Sequence, residues 1–224
     1  NWVMVNGAGS VWRNSATLYV GNSGAGNMLT IGDGAVVTAN QLILGQNAGG
    51  GGAVYQGGGT YSGTSEMKLG VNAGSYGFYQ LSGGCLTNVN WTRVSGDNGL
   101  GVFYLSGGTN ISTANGLIVA AGGGTGVFYA ASGLYSNQNT VYMGYNNTPG
   151  NGRGELTIAG SATVMINSNL QMNRDGTGDA ATGIINLDGG LLRVNNINKG
   201  IAGGLSIINF NGGTLLGGAA GTLI

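Results

Sequence analysis

Apolar residues in this chain come in short triplets, apolar-x-apolar, and the triplets recur every 24 to 29 residues from near Thr17 onward. A first series, usually followed by Gly, reads Leu18-Tyr19-Val20-Gly21, Leu42-Ile43-Leu44-Gly45, Met67-Lys68-Leu69-Gly70, Leu117-Ile118-Val119, Val141-Tyr142-Met143-Gly144 and Leu170-Gln171-Met172. Its third residues fall at Val20, Leu44, Leu69, Val94, Val119, Met143 and Met172, with Thr92 an exception to the apolar rule. A second series follows in each copy: Leu29-Thr30-Ile31, Ala53-Val54-Tyr55, Tyr79-Gln80-Leu81, Phe103-Tyr104-Leu105, Phe128-Tyr129-Ala130, Leu156-Thr157-Ile158, Ile185-Asn186-Leu187 and Ile208-Asn209-Phe210. A third column of single apolar residues comes at Val36, Tyr61, Leu86, Ile111, Tyr135, Val164 and Leu192, each four residues before Asn40, Ser65, Asn90, Asn115, Asn139, Ser168 or Asn196.

Period-two alternation describes a strand with one face turned inward. A strand this short cannot bury that face alone, but copies stacked about 4.8 Å apart join their apolar columns into one core. Three strands and three corners per copy therefore predict a three-sided parallel β-solenoid of about 8–9 coils, on the order of 40 Å long. It is a single domain over 1–224, with 1–16 as a less regular first coil. The Asn/Ser column has two readings. Stacked amides bond into a ladder along the rod, or Asn simply favours turns. The ladder reading predicts an Asn90–Asn115 bond.

Composition narrows the choice. Gly supplies 50 of 224 residues, Pro one, and charged residues 6%, which is the reverse of a disordered chain. Glycine suits corners where positive φ or close contact excludes a β-carbon. There is no three-residue period for collagen, and the β-branched and aromatic triplets exclude helical repeats. Seven basic and seven acidic residues cancel, so there is no basic patch for nucleic acid or an anionic membrane. No apolar run approaches the ~18 residues of a spanning helix. The start at Asn1, without Met or an export signal, fits a processed product or an excerpt of a longer protein. Cys85 alone forms no internal disulfide, and beside Leu86 it reads as a packed corner residue.

The run from Leu18 to Val37, with its Leu-x-Val-Gly, Gly/Asn-rich corner and Leu-x-Ile, resembles the autotransporter-associated β-strand repeats of large bacterial surface and secreted proteins. The resemblance covers about residues 17–224. It implies an exported, right-handed parallel β-helix serving as a surface stalk, adhesin or matrix component. No membrane barrel accompanies the repeats here.

Chemistry is sparse. No His is present, removing the commonest base and metal ligand. The acids Asp33, Glu66, Asp97, Glu155 and Asp188 belong to different coils, whereas polysaccharide-cleaving β-helices need converging carboxylates. Asn173-Arg174-Asp175-Gly176-Thr177-Gly178-Asp179 is the one acidic cluster; it lacks the further carboxylates of a Ca²⁺ loop and reads as a solvated corner. Tyr104 and Tyr129 stand as neighbours on the second face and Trp91 at a first-face edge, either as a glycan platform or as cross-strand packing. Asn90-Trp91-Thr92, Asn110-Ile111-Ser112 and Asn146-Asn147-Thr148 match the N-glycosylation triplet. No catalytic, cofactor or metal residue is expected. The expected function is a segment of an extracellular fibre or cell-surface stalk. Its partners would be further copies stacked head to tail on uncapped ends (Asn1–Val5 and Leu215–Ile224), or flanking coils of a longer chain. The alternatives are a carbohydrate-binding adhesin and a polysaccharide-acting enzyme.

Overall fold

In the computed structural model, which describes residues 1–145, 151–174, 181–200 and 203–218, the first-series triplets lie directly over one another. Val20 pairs with Leu44, Leu44 with Leu69, Leu69 with Val94, Val94 with Val119, Val119 with Met143 and Met143 with Met172. Among the described residues every ladder is parallel, and together the ladders join 18 strands into one continuous sheet wound into about eight turns. No helix occurs among the described residues. Each coil contributes a strand to each of three faces, as the alternation predicts.

The second face carries the aromatic core. Val54, Tyr79, Phe103, Phe128 and Leu156 form its first inward column. Tyr79 and Phe103 stack with centroids 5.2 Å apart and planes 5° off parallel, and Phe103 and Phe128 do so at 4.9 Å and 5°. Coil spacing imposes that geometry, because identical χ angles on successive coils place rings one strand spacing apart. Leu81, Leu105 and Ala130 stack beside them and, like Leu69, Val94 and Val119, are fully buried. Burial of each such Leu or Val stabilises by roughly 1.5–3 kcal/mol before ordering entropy is counted.

The corner after the first face explains the recurring Gly. Gly21, Gly45, Gly70 and Gly144 all have φ between 60° and 79°. A β-carbon on Gly70 would lie 2.0 Å from the Leu100 carbonyl oxygen, and one on Gly45 would lie 2.1 Å from that of Tyr76. Where the motif lacks Gly, the backbone keeps the same left-handed bend: Ser95 at 78°, Ala120 at 67° and Asn173 at 54°. These three are the only non-Gly residues of positive φ among those described. Two of them carry side chains that bond at the corner: Ser95 Oγ donates to the carbonyls of Gly99 (2.9 Å) and Gly96 (3.1 Å), and Asn173 Nδ2 donates to Ser206 Oγ at 2.8 Å.

Three register assignments differ from the sequence reading. Ala53-Val54-Tyr55 is shifted by one: Val54 pairs with Leu29, so Val54 and Gln56 point inward and Tyr55 outward. Gln56 occupies the column of Ile31 and Leu81 at 0% exposure. It fits there because Nε2 donates to the Cys85 carbonyl at 3.0 Å and Oε1 accepts from the Tyr79 hydroxyl at 2.5 Å. On the third face, Val37 rather than Val36 lies under Tyr61. Asn110 rather than Ile111 lies between Leu86 and Tyr135. A one-residue slip would turn every side chain of a strand over, so neighbouring coils override the polarity of one four-residue strand.

The Asn column is a ladder only in part. Asn115 Nδ2 donates to Asn90 Oδ1 at 2.7 Å, as expected. The neighbouring rungs use other atoms: Thr64 donates to Asn40, Thr140 and Ser168 hydroxyls meet at 3.3 Å, and Asn196 donates to Asn169. The fully buried polar column is offset by two or three residues. Asn88, Ser112 and Asn137 stack there, bonding the carbonyls of Asn90, Asn115 and Asn139 and so closing the third corner from inside. Buried Thr92, the exception in the first series, accepts from Asn88 Nδ2 at 3.2 Å. A separate exposed ladder runs Asn22–Asn47–Asn72 at 3.2 and 3.3 Å.

Candidate functional site

The outward residues of the first face hold most of the chemistry that the described residues bring together. Lys68 and Arg93 pair in register on adjacent strands, and both reach Glu66, at 2.7 Å from Lys68 Nζ and 2.9 Å from Arg93 Nη2. Burial alone would raise the Glu66 pKa, but the Lys68 hydrogen bond and the Arg93 and Lys68 charges outweigh it, and the carboxyl is held below its ordinary value.

From Trp91, two residues before Arg93, the surface turns aromatic. Trp91 and Tyr142 meet with centroids 5.8 Å apart although two coil steps separate them. The coil between contributes Gly116, whose missing β-carbon would lie 3.1 Å from the Trp91 ring. The indole crosses that gap, and outward-facing Ile118 beneath is only 1% exposed. Tyr142 also meets Tyr145 at 5.1 Å, and the Arg174 guanidinium lies 5.0 and 4.9 Å from the two ring centroids. Such a cation–π arrangement contributes about 0.5–1 kcal/mol at an exposed site. The sequence carries only part of the signal: Gly116 is one coil step from Trp91, but Tyr142 lies two residues beyond Thr140, the next position of that column.

The other named residues are scattered. Glu155 bonds Arg153 at 2.7 Å and accepts from Asn186 at 3.0 Å. Asp33 and Asp97 are exposed on separate corners, and Asp188 accepts from Asn211 at 2.8 Å. No three His, Cys, Asp or Glu residues converge among the described residues. Cys85 is a free, half-buried thiol at the start of the strand Cys85–Asn88. Tyr104 and Tyr129 pair across strands with centroids at 5.6 Å, tilted by 55°. Of the glycosylation triplets, Asn110 is buried and offers no acceptor in the folded state, and Asn90 already engages Asn115 and the Trp91 amide. Asp175 to Asp179 and Asn146-Asn147-Thr148 lie outside the described residues. No described helix is long and apolar enough to cross a membrane.

Comparison with protein-family models, with curated proteins and with solved structures finds no match.

Proposed function

We propose that this chain is a structural rod, a segment of an extracellular fibre or cell-surface stalk, extended by further coils at its ends. The observation that carries this reading is the state of the inward columns at the two ends. Val3 is 45% exposed although it belongs to the Leu29 column, and Ile208 and Phe210 are 39% and 61% exposed although they continue Ile185 and Leu187. A cavity of about 240 Å³ opens there among Ile185, Leu187, Leu192, Ile197, Ile208, Phe210 and Leu215. A following coil of the same type sets Val3 on the Ile208 column, Val5 on Phe210 and Trp12 on Leu215, extending each ladder by strand pairing. The unit that follows is a second copy, stacked head to tail, or flanking coils of a longer polypeptide. The exported location rests on the repeat resemblance.

Electron microscopy of the native material, with the mass of the native chain, tests the reading. Rods longer than one chain of this mass support a homopolymer. Rods made of a much longer chain support flanking coils. Isolated short monomers at high concentration would sink both.

A second reading, a carbohydrate-binding adhesin, is favoured by Trp91, Tyr142 and Tyr145 in one surface cluster. A glycan array separates it: a bound glycan lost in Trp91→Ala supports the adhesin, and silence across the array leaves the rod.

A further inference from the structure

The outer side of the second face is uncharged along six successive strands. Residues 2–5, 27–31, 51–56, 76–81, 100–105 and 125–130 contain no Asp, Glu, Lys or Arg, and the first charges come with Arg153 and Glu155 in the next strand. Tyr55, Tyr76, Phe78, Leu100, Tyr104 and Tyr129 point outward there, with Tyr55 at 39% exposure and Tyr76 and Leu100 at 41%. Their rings pair across strands in tilted contacts, Tyr55 with Phe78 and Tyr104 with Tyr129 at 5.6 Å each, and remain partly open to solvent. The other faces differ. The first carries the Glu66–Lys68–Arg93 ion pairs, and the third carries hydroxyls such as Ser62 and Thr87, 2.9 Å apart.

Six strands of four to six residues make a surface about 25–30 Å by up to 20 Å, on the order of 500 Å². The largest apolar patch on a typical soluble monomer is about 300–600 Å² and is often a contact site, and this face, its polar groups included, falls in that range. Two such faces together hide about 1,000 Å², the lower bound for a specific protein interface. Two features identify a second copy as the occupant. A neutral face opposes its own image without like-charge repulsion. At its edge with the preceding corner the face carries both a projection and a recess: Gly51 pairs with Tyr76, and the Tyr76 ring walls a shallow depression of about 390 Å³ floored by Gly49 to Gly52, Ala25 and Gly74. A knob and a hole on one surface are what an isologous two-fold contact uses.

We propose that two copies pair side by side through their second faces, about a two-fold axis near Tyr76, each Tyr76 ring entering the glycine-floored depression of the other. This goes beyond end-to-end growth and does not require it.

Sedimentation of the full chain, up to high micromolar concentration, reads the association directly. The expected result is a mass for the wild type twice that of Leu100→Lys and of Tyr129→Lys at the same concentration, whatever end-to-end growth each shows, with circular dichroism unchanged. Oxidation of Tyr76→Cys in a Cys85→Ser background gives a covalent dimer, whereas Thr38→Cys on the third face, in the same background, does not. A wild type monomeric throughout overturns the proposal. So does association that survives Leu100→Lys but is lost in Phe210→Asp, which assigns it to the ends. Equal cross-linking from both cysteine positions overturns it as well. A monomer that binds a soluble β-glucan and loses it in Leu100→Lys would make the face a ligand platform and overturn the pairing.

Discussion

A left-handed backbone bend after the first face is demanded at every coil, and the side chain at that position decides what it costs. Gly70 meets the demand freely, and Gly70→Ala is expected to destabilise by about 1–3 kcal/mol through positive φ and the contact with the Leu100 carbonyl. Ala120 holds the same bend with a methyl group. There Ala120→Gly relieves about 1–2 kcal/mol of strain, offsetting the lost methyl burial and the entropy that glycine adds to the unfolded chain. Thermal unfolding should show a loss near zero, and a clear loss would mean the bend is unstrained. The motif was readable because four of its corners are Gly, while Ser95, Ala120 and Asn173 hid the rest. Buried tyrosines give a second contrast. Burial pushes the Tyr61, Tyr79 and Tyr135 phenols up, so they stay neutral. The Tyr135 hydroxyl has no partner, whereas that of Tyr79 serves Gln56. Tyr135→Phe should be neutral or stabilising, and Tyr79→Phe should cost about 1–3 kcal/mol by orphaning Gln56 Oε1; denaturant midpoints measure both.

Strands in this fold take their register from the coils above and below, which explains both what the triplets foretold and where they misled. Five of the six first-series steps are 24 or 25 residues, and every expected partner is the observed one. The sequence reading failed where an inward position is polar, at Gln56 and Asn110, or where two valines adjoin, at Val36 and Val37. Local alternation cannot reveal that a buried amide finds carbonyls or a phenol in the next coil. Column continuity makes Val94→Asp and Leu105→Asp unfolding substitutions, since each buries an unpaired carboxylate between two apolar neighbours. A retained melting temperature in either would refute the register. Asn115→Leu leaves Asn90 Oδ1 with one donor fewer, and at this half-buried corner the loss should be about 1 kcal/mol. The adjoining rungs bond through different atoms and should be unaffected.

Across the whole molecule, stability should change little between about pH 5 and 8, because no His titrates there. Glu66 sets the acid side. Its folded pKa is lowered, so its contribution is present above the ordinary carboxylate range and disappears as pH falls through the lowered value. Glu66→Gln should therefore lower the melting temperature at neutral pH and converge on the wild type toward pH ~3; parallel curves throughout would remove Glu66 from the account. The three-sided architecture was legible in the chain because it repeats. The aromatic cluster on the first face was not, since Trp91 reaches Tyr142 across an entire coil and only the stacked structure brings them together. The pairing of Leu69 with Val94 also bears on inheritance. Any residue and its equivalent one step later occupy interchangeable environments, so excising Val71 to Ser95 would join Gly70 to Gly96 with every column still aligned. Loss or duplication of a coil in the coding DNA leaves such a rod foldable and alters only its length, whereas a deletion of half that size would misalign every column beyond it. Length in this molecule is thus a heritable quantity that varies in whole coils.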